Sequence, residues 1–151
     1  MQLSMKCSVA VHCLIFIHEF SGQVRVTSSL LSQSTGCHPV VIRGILSALK
    51  KAGILSVARG RGGAVLVKPP EAVTLLDIYM ALEPEGPADL IGVHPCGGRP
   101  CPVARNIAGV LEGPYRRIEE AVQEAMGKVT LASMIADYEA RTEEGMGNGS
   151  V

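Results

Sequence analysis

The stretch that most restricts this chain is TSSLLSQSTGCHPVVIRGILSALKKAG, residues 27 to 53. Thr27 can cap a short helix carrying Leu30 and Leu31, and Gly36 can stop it in the left-handed position that follows a helix. His38-Pro39 opens a second helix with Pro at its first position, where the missing N–H is harmless. Val41, Ile45, Ala48, Leu49 and Ala52 recur at helical spacing and are expected to line its inner face, with Arg43, Ser47 and Lys50 opposite. Gly53 closes it. Two short helices joined by so tight a turn point to a helix-turn-helix.

The flanks extend that reading. Met5, Val9, Cys13, Phe16 and Phe20, with Ala10, Leu14 and Ile17 beside them, predict a first helix over residues 3 to 20. Val24-Arg25-Val26 reads as a short extended link. Residues 54 to 58 and 64 to 68 read as strands around Arg59-Gly60-Arg61-Gly62-Gly63, a turn rich in glycine, and Pro69-Pro70 ends this hairpin. EAVTLLDIYMAL (71 to 82) predicts a fourth helix with Leu75, Ile78, Tyr79 and Leu82 as its apolar set. Residues 83 to 101 lack periodicity and form a long loop. Pro102 begins a long helical pattern striped by Ile107, Val110, Leu111, Ile118, Val122 and Met126, in which Pro114 is expected to introduce a kink or a division. A last short helix over 129 to 138 and a disordered tail are expected to follow.

The fold class is therefore mainly α with a small β-hairpin: a winged helix-turn-helix over 1–82, a candidate sensor loop over 83–101, long helices over 102–140 and a tail over 141–151. With apolar residues at 47% but aromatics at 3% and no Trp, aliphatic side chains must do most of the packing. No apolar run approaches the roughly 20 residues that span a bilayer, so no membrane association is expected. The N-terminal segment reads as a helix, not a leader, and five cysteines without a secretory signal point to a reducing cytoplasm.

The net charge of zero conceals a division. Residues 1 to 70 hold eight Lys/Arg and one acid, Glu19, a balance of +7; residues 71 to 151 hold six Lys/Arg and thirteen acids, a balance of −7. A basic first half with a helix-turn-helix and an Arg-rich hairpin tip implies double-stranded DNA as the partner. The second helix of such a motif enters the major groove N-terminus first, which directs His38, Pro39, Val40 and Arg43 to the bases, with Ser47 and Lys50 further along. Thr27 and Ser28 suit phosphate, and Arg59 and Arg61 suit phosphate or the adjacent minor groove.

Four segments, GCHPVVIRGILSALKKAGIL (36–55), ARGRGGAVLV (58–67), PPEAVTLLDIYMALEP (69–84) and CPVARNIAGVLEGPYRRIEEAV (101–122), carry a resemblance. Together they resemble the Rrf-two-type bacterial transcription regulators, the family of the iron–sulfur cluster regulator, the nitric-oxide-sensitive repressor and the cysteine-metabolism repressor. The resemblance covers residues 5 to about 138. It implies a homodimer in which the helix after Pro102 crosses its partner, contacts to DNA from the His38–Arg43 region, and a wing contact from Arg59. Where the family's wing often ends in Gly-Gly-Gly-aromatic, this chain has Gly62-Gly63-Ala64-Val65.

The cysteines leave alternatives open. Cluster-holding members resemble one another in three loop cysteines, whereas HPCGGRPC offers His94, Cys96 and Cys101 with no later cysteine. A [2Fe–2S] cluster usually takes four ligands, and zinc the same number, so no metal or cofactor is expected unless a partner subunit adds donors. Cys37, at the entrance to the second helix and beside His38, meets the conditions that favour a thiolate. Its oxidation with Cys96 or Cys101, across a dimer, is the favoured switch. The plainer reading leaves Cys37 filling a turn and Cys101 occupying a helix cap. Cys7 and Cys13 read as core. No Cys-x-x-Cys beside a βαβ pattern supports a thiol oxidoreductase, and no enzyme motif occurs.

Overall fold

The computed structural model describes residues 5–58, 62–84, 91–96 and 101–147. In chain order these form α1 (Met5–Phe20), α2 (Ser28–Thr35), α3 (Pro39–Lys51), β1 (Leu55–Ala58), β2 (Gly63–Leu66), a single 3-10 turn (Pro70–Ala72), α4 (Leu75–Leu82), α5 (Pro102–Lys128) and α6 (Leu131–Gly147). The mainly helical class with one antiparallel hairpin is as the sequence implies. The hairpin pairs Leu55 with Leu66 and Ala58 with Gly63.

The caps set the helix-turn-helix. The Thr27 hydroxyl accepts the Leu30 N–H at 3.2 Å. Gly36 takes φ 72° and donates its N–H to the Ser32 carbonyl, which ends α2. His38 then caps α3 with Pro39 at its first turn. This start phases α3 differently from the sequence reading. Ile42, Ile45, Leu46 and Leu49 face the core, whereas Val41 is 44% exposed and Ala52 is exposed. The run Val40-Val41-Ile42 offers three β-branched residues in succession, and periodicity alone does not say which one is buried.

The expected helix over 71–82 is divided. Val73 is extended and fully buried, and α4 begins only after Thr74, whose hydroxyl accepts the Asp77 N–H at 3.1 Å while the Asp77 carboxylate accepts the Thr74 N–H at 2.8 Å. The reason lies far along the chain. Leu131 donates its N–H to the Val73 carbonyl at 2.7 Å, Leu75 donates to the Val129 carbonyl at 2.8 Å, and Thr74 bridges Thr130. A helix continuing through Val73 could not accept the Leu131 N–H.

α5 is one helix through Pro114, not two. Pro114 and Val110 are both exposed, so the carbonyl that Pro114 cannot bond lies on a solvated turn. α6 runs to Gly147, past the expected end at 138, and an Arg141–Asp137 ion pair at 2.8 Å spans one turn of this extension. Residues 148–151 of the expected tail lie outside the described residues.

One core joins these elements. Cys13, Leu14 and Ile17 of α1 pack with Leu31, the inner face of α3, Ile54, Leu55 and Ile78. Cys7 and Cys13 are buried there, as the sequence implies. Of α5 only Met126, in its last turns, is buried; Leu131 and Ile135 of α6 follow it inward. Val122 packs against the edge of that core, and no residue of α5 before Met126 is buried. No described helix is long and apolar enough to cross a membrane.

Candidate nucleic-acid interface

The exposed face of α3 carries Val40, Val41, Arg43, Ser47 and Lys50. Val26 is 1% exposed, whereas Arg25 beside it is exposed. Ala64 donates its N–H to the Val26 carbonyl at 2.9 Å, which fastens the hairpin to the link just ahead of α2. Between α3, the link and the hairpin lies a concavity of about 450 Å³, lined by Arg25, Thr27, Ser28, Arg43, Ser47 and Lys50 and, among the described residues, by no acidic side chain. Three cations over one water-filled hollow make a positive surface of the size of a backbone phosphate and its neighbours.

Thus Thr27, Ser28, Arg43, Ser47 and Lys50 are brought together. Arg25 was missed by sequence reasoning, since it joins the hollow only through the return of the hairpin to Val26. His38 is exposed beside them, and its Nδ1 accepts the Val40 N–H at 3.2 Å, so the neutral ring carries its proton on Nε2. Pro39 is half-buried and Val40 is 57% exposed. Arg59 and Arg61 lie outside the described residues.

The cysteines fall into separate places. Cys37 is half-buried in the turn before α3, where its N–H is held by the Thr35 hydroxyl at 3.2 Å and its carbonyl accepts the Ser32 hydroxyl. It packs against the core cluster. Cys96 and Cys101 instead line a second hollow with His94 at the start of α5, and Cys96 Sγ stands 3.9 Å from His94 Nε2. Cys101 stands at the N-cap position of α5, and the N–H groups of Ala104 and Val103 lower its thiol from the ordinary value. Burial, with Cys37 as a lesser cause, pushes Cys13 up to about 12.

A helix-turn-helix whose hairpin wing closes a cationic hollow defines a winged-helix DNA-binding regulator. The family model for Rrf2, the iron-dependent transcriptional regulators, matches residues 3–137, and the chain belongs to that family. It is 29% identical over 133 residues to YwnA, an HTH-type transcriptional regulator of Bacillus subtilis (strain 168), across 88% of this chain and 96% of that one. Its fold matches the crystal structure of a transcriptional regulator from Lactobacillus plantarum with a TM-score of 0.73 and 26% identity, over 94% and 98% of the two chains. It also matches IscR of T. potens with a TM-score of 0.68 at 19% identity, over 93% and 90%, a likeness of fold. As a family of transcriptional regulators and not of enzymes, Rrf2 rules out the oxidoreductase alternative.

Iron, which the family description names, does not fit what the described residues offer. Among them no group of three or more His, Cys, Asp or Glu is placed to hold a metal ion. His94, Cys96 and Cys101 are three donors at best, on an exposed loop, where a [2Fe–2S] cluster takes four.

Proposed function

We propose that this chain acts in the cytoplasm as a homodimer on a pseudo-palindromic operator, with α3 of each subunit in the major groove. The observation that carries this reading is the hollow that gathers Arg25, Arg43 and Lys50 with Thr27, Ser28 and Ser47 while admitting no carboxylate. Arg43 reads base edges, and the exposed Val40 beside it suits a thymine methyl. Thr27, Ser28 and Lys50 hold phosphate, as does Arg25, and Arg59 with Arg61 extends the grip from the wing. His38 and Pro39 present the helix start to the groove. Residues 1–82 form the DNA-binding part and 102–140 the dimer part, with 83–101 between them as the sensor loop.

The dimer reading rests on α5. Val103 is 67% exposed, Val110 63% and Ile118 42%, at spacings of about two turns, so one apolar stripe lies open along a helix that the core hardly touches. Thiol oxidation supplies the signal: an oxidant of the peroxide class joins the Cys37 thiol to Cys96 or Cys101 of the other subunit as a disulfide, the peroxide leaving as two waters. A disulfide there would tie the recognition turn to the dimer helices and alter the half-site spacing.

Selection from a random duplex library with the full chain tests the reading. Enrichment of an inverted repeat with half-sites about one helical turn apart is expected. Enrichment of no sequence, or of an unpaired half-site by a monomer, would overturn it.

A further inference from the structure

A third hollow, of about 540 Å³, opens between α1, α2 and α6. Val11, Ile15, Phe16 and Phe20 form its floor, and the Phe16 and Phe20 rings stand 4.7 Å apart at 47°. Tyr138 of α6 closes one side. At the rim His12 Nε2 and Ser34 Oγ are 2.8 Å apart, joining α1 to α2. Among the described residues no Lys, Arg, Asp or Glu lines the site. Its volume lies in the range of small-molecule pockets, which are mostly apolar with a few convergent polar groups.

We infer that this hollow is an effector site for a neutral, mainly aromatic small molecule bearing one hydroxyl or carbonyl. The chemistry follows from the lining. Tilted phenyl rings accept a flat aromatic body at edge or face. The absence of any ionic partner disfavours a charged ligand, which would lose its hydration without compensation. The polar groups of His12 and Ser34 meet at the rim and can hold a single hydrogen-bonding substituent, and Tyr138 lines the same hollow.

The regulatory half of the inference rests on the DNA-binding reading. Ser34 sits two residues before Gly36, whose left-handed turn sets where α3 begins. A ligand that takes the Ser34 hydroxyl from His12 loosens α2 from α1 and shifts α3 with it. Tyr138 ties the same molecule to α6, whose first residue Leu131 donates its N–H to the Val73 carbonyl just ahead of α4. The ligand thereby binds two arrangements of the subunit unequally, which is what a change in DNA affinity requires.

The test uses the full-length protein and N-phenylnaphthylamine, a neutral aromatic amine whose emission rises in apolar sites. The expected result is saturable binding at one probe per subunit, weakened at least tenfold in Val11→Trp, which fills the hollow. Circular dichroism and unbound-state DNA affinity of Val11→Trp should match the parent, and the probe should change DNA affinity in the parent alone. Equal probe binding by parent and variant, or none by either, overturns the site. So does conversion of Val11→Trp to monomer in sedimentation, which assigns the hollow to the subunit contact. If Val11→Trp misfolds, Tyr138→Phe and Ser34→Ala take its place, and unchanged probe affinity in both overturns the site. Probe binding without any effect on DNA affinity overturns the regulatory half. Failure of the probe-free protein to bind DNA counts instead against the DNA-binding reading.

Discussion

Gly63 lies against the backbone of Val26: a Cβ on Gly63 would come within 2.8 Å of the Val26 carbonyl oxygen and 2.9 Å of its nitrogen. Gly63 also takes φ 78°, where an L side chain is strained. The first residue of β2 is therefore a glycine because the wing is seated on the link that leads into α2. Gly63→Ala should destabilise the protein by about 1–3 kcal/mol. Thermal unfolding should show a fall of several degrees, and weakened DNA binding should accompany it because the cationic hollow loses its wall. An unchanged melting temperature would contradict this seating.

The capping box of α4 predicts a second loss. Thr74 and Asp77 satisfy each other's backbone N–H groups at the point where the α5–α6 junction bonds back to the chain. Thr74→Ala should cost about 1–2 kcal/mol in denaturant unfolding, and Thr74→Ser much less. Equal losses for both would show that the hydroxyl is not what holds the turn.

The thiols predict opposite behaviours. Burial raises Cys13 to about 12, and burial raises Cys7 and Tyr79 in the same sense. A raised value favours the neutral form in the folded chain, so this stability is complete below the ordinary thiol range. For Cys13 it is lost as pH climbs from about 9 through about 12, at about 1.4 kcal/mol per pH unit, and Cys7 and Tyr79 add to the alkaline decline in the same direction. Cys13→Ala should flatten that alkaline decline by one proton. Cys101, lowered by the Ala104 and Val103 N–H groups, should be alkylated at neutral pH while Cys7 and Cys13 stay protected until unfolding. Peptide mapping after brief iodoacetamide treatment reads both. With diamide, a disulfide-linked dimer should form and be absent in Cys37→Ser.

The stripe on α5 predicts the assembly. Val110→Glu should convert the dimer to a monomer in sedimentation with the helical content retained, because Val110 makes no contribution to the subunit core. A dimer that persists would place the interface elsewhere.

Much of this was legible in the sequence because local chemistry decided it. Thr27, Gly36, His38-Pro39 and Gly53 mark their helix ends by capping and backbone preference, and these positions hold. The failures occurred where distant parts of the chain decide. Val73 is extended because Leu131 claims its carbonyl, a bond across more than fifty residues that no local pattern announces. Val41 and Ile42 are alike in propensity, so the buried one is chosen by how α3 docks on α1. Arg25 belongs to the cationic hollow only because the hairpin returns to Val26. The proposed pairing of Cys37 with the loop cysteines would involve a second subunit, which one sequence does not display.

The central claim is that the α3 face and its cationic hollow bind duplex DNA, and the salt dependence of binding tests it most directly. Fluorescence anisotropy with a labelled duplex should give a linear fall of log K with log salt. Arg43→Ala should weaken binding to a selected operator by about 1–3 kcal/mol and relax its sequence preference. Lys50→Ala and Arg25→Ala should each lower the salt slope by about 1 and weaken all duplexes alike. Salt-independent binding, or slopes and affinities unchanged in all three variants, would contradict the account.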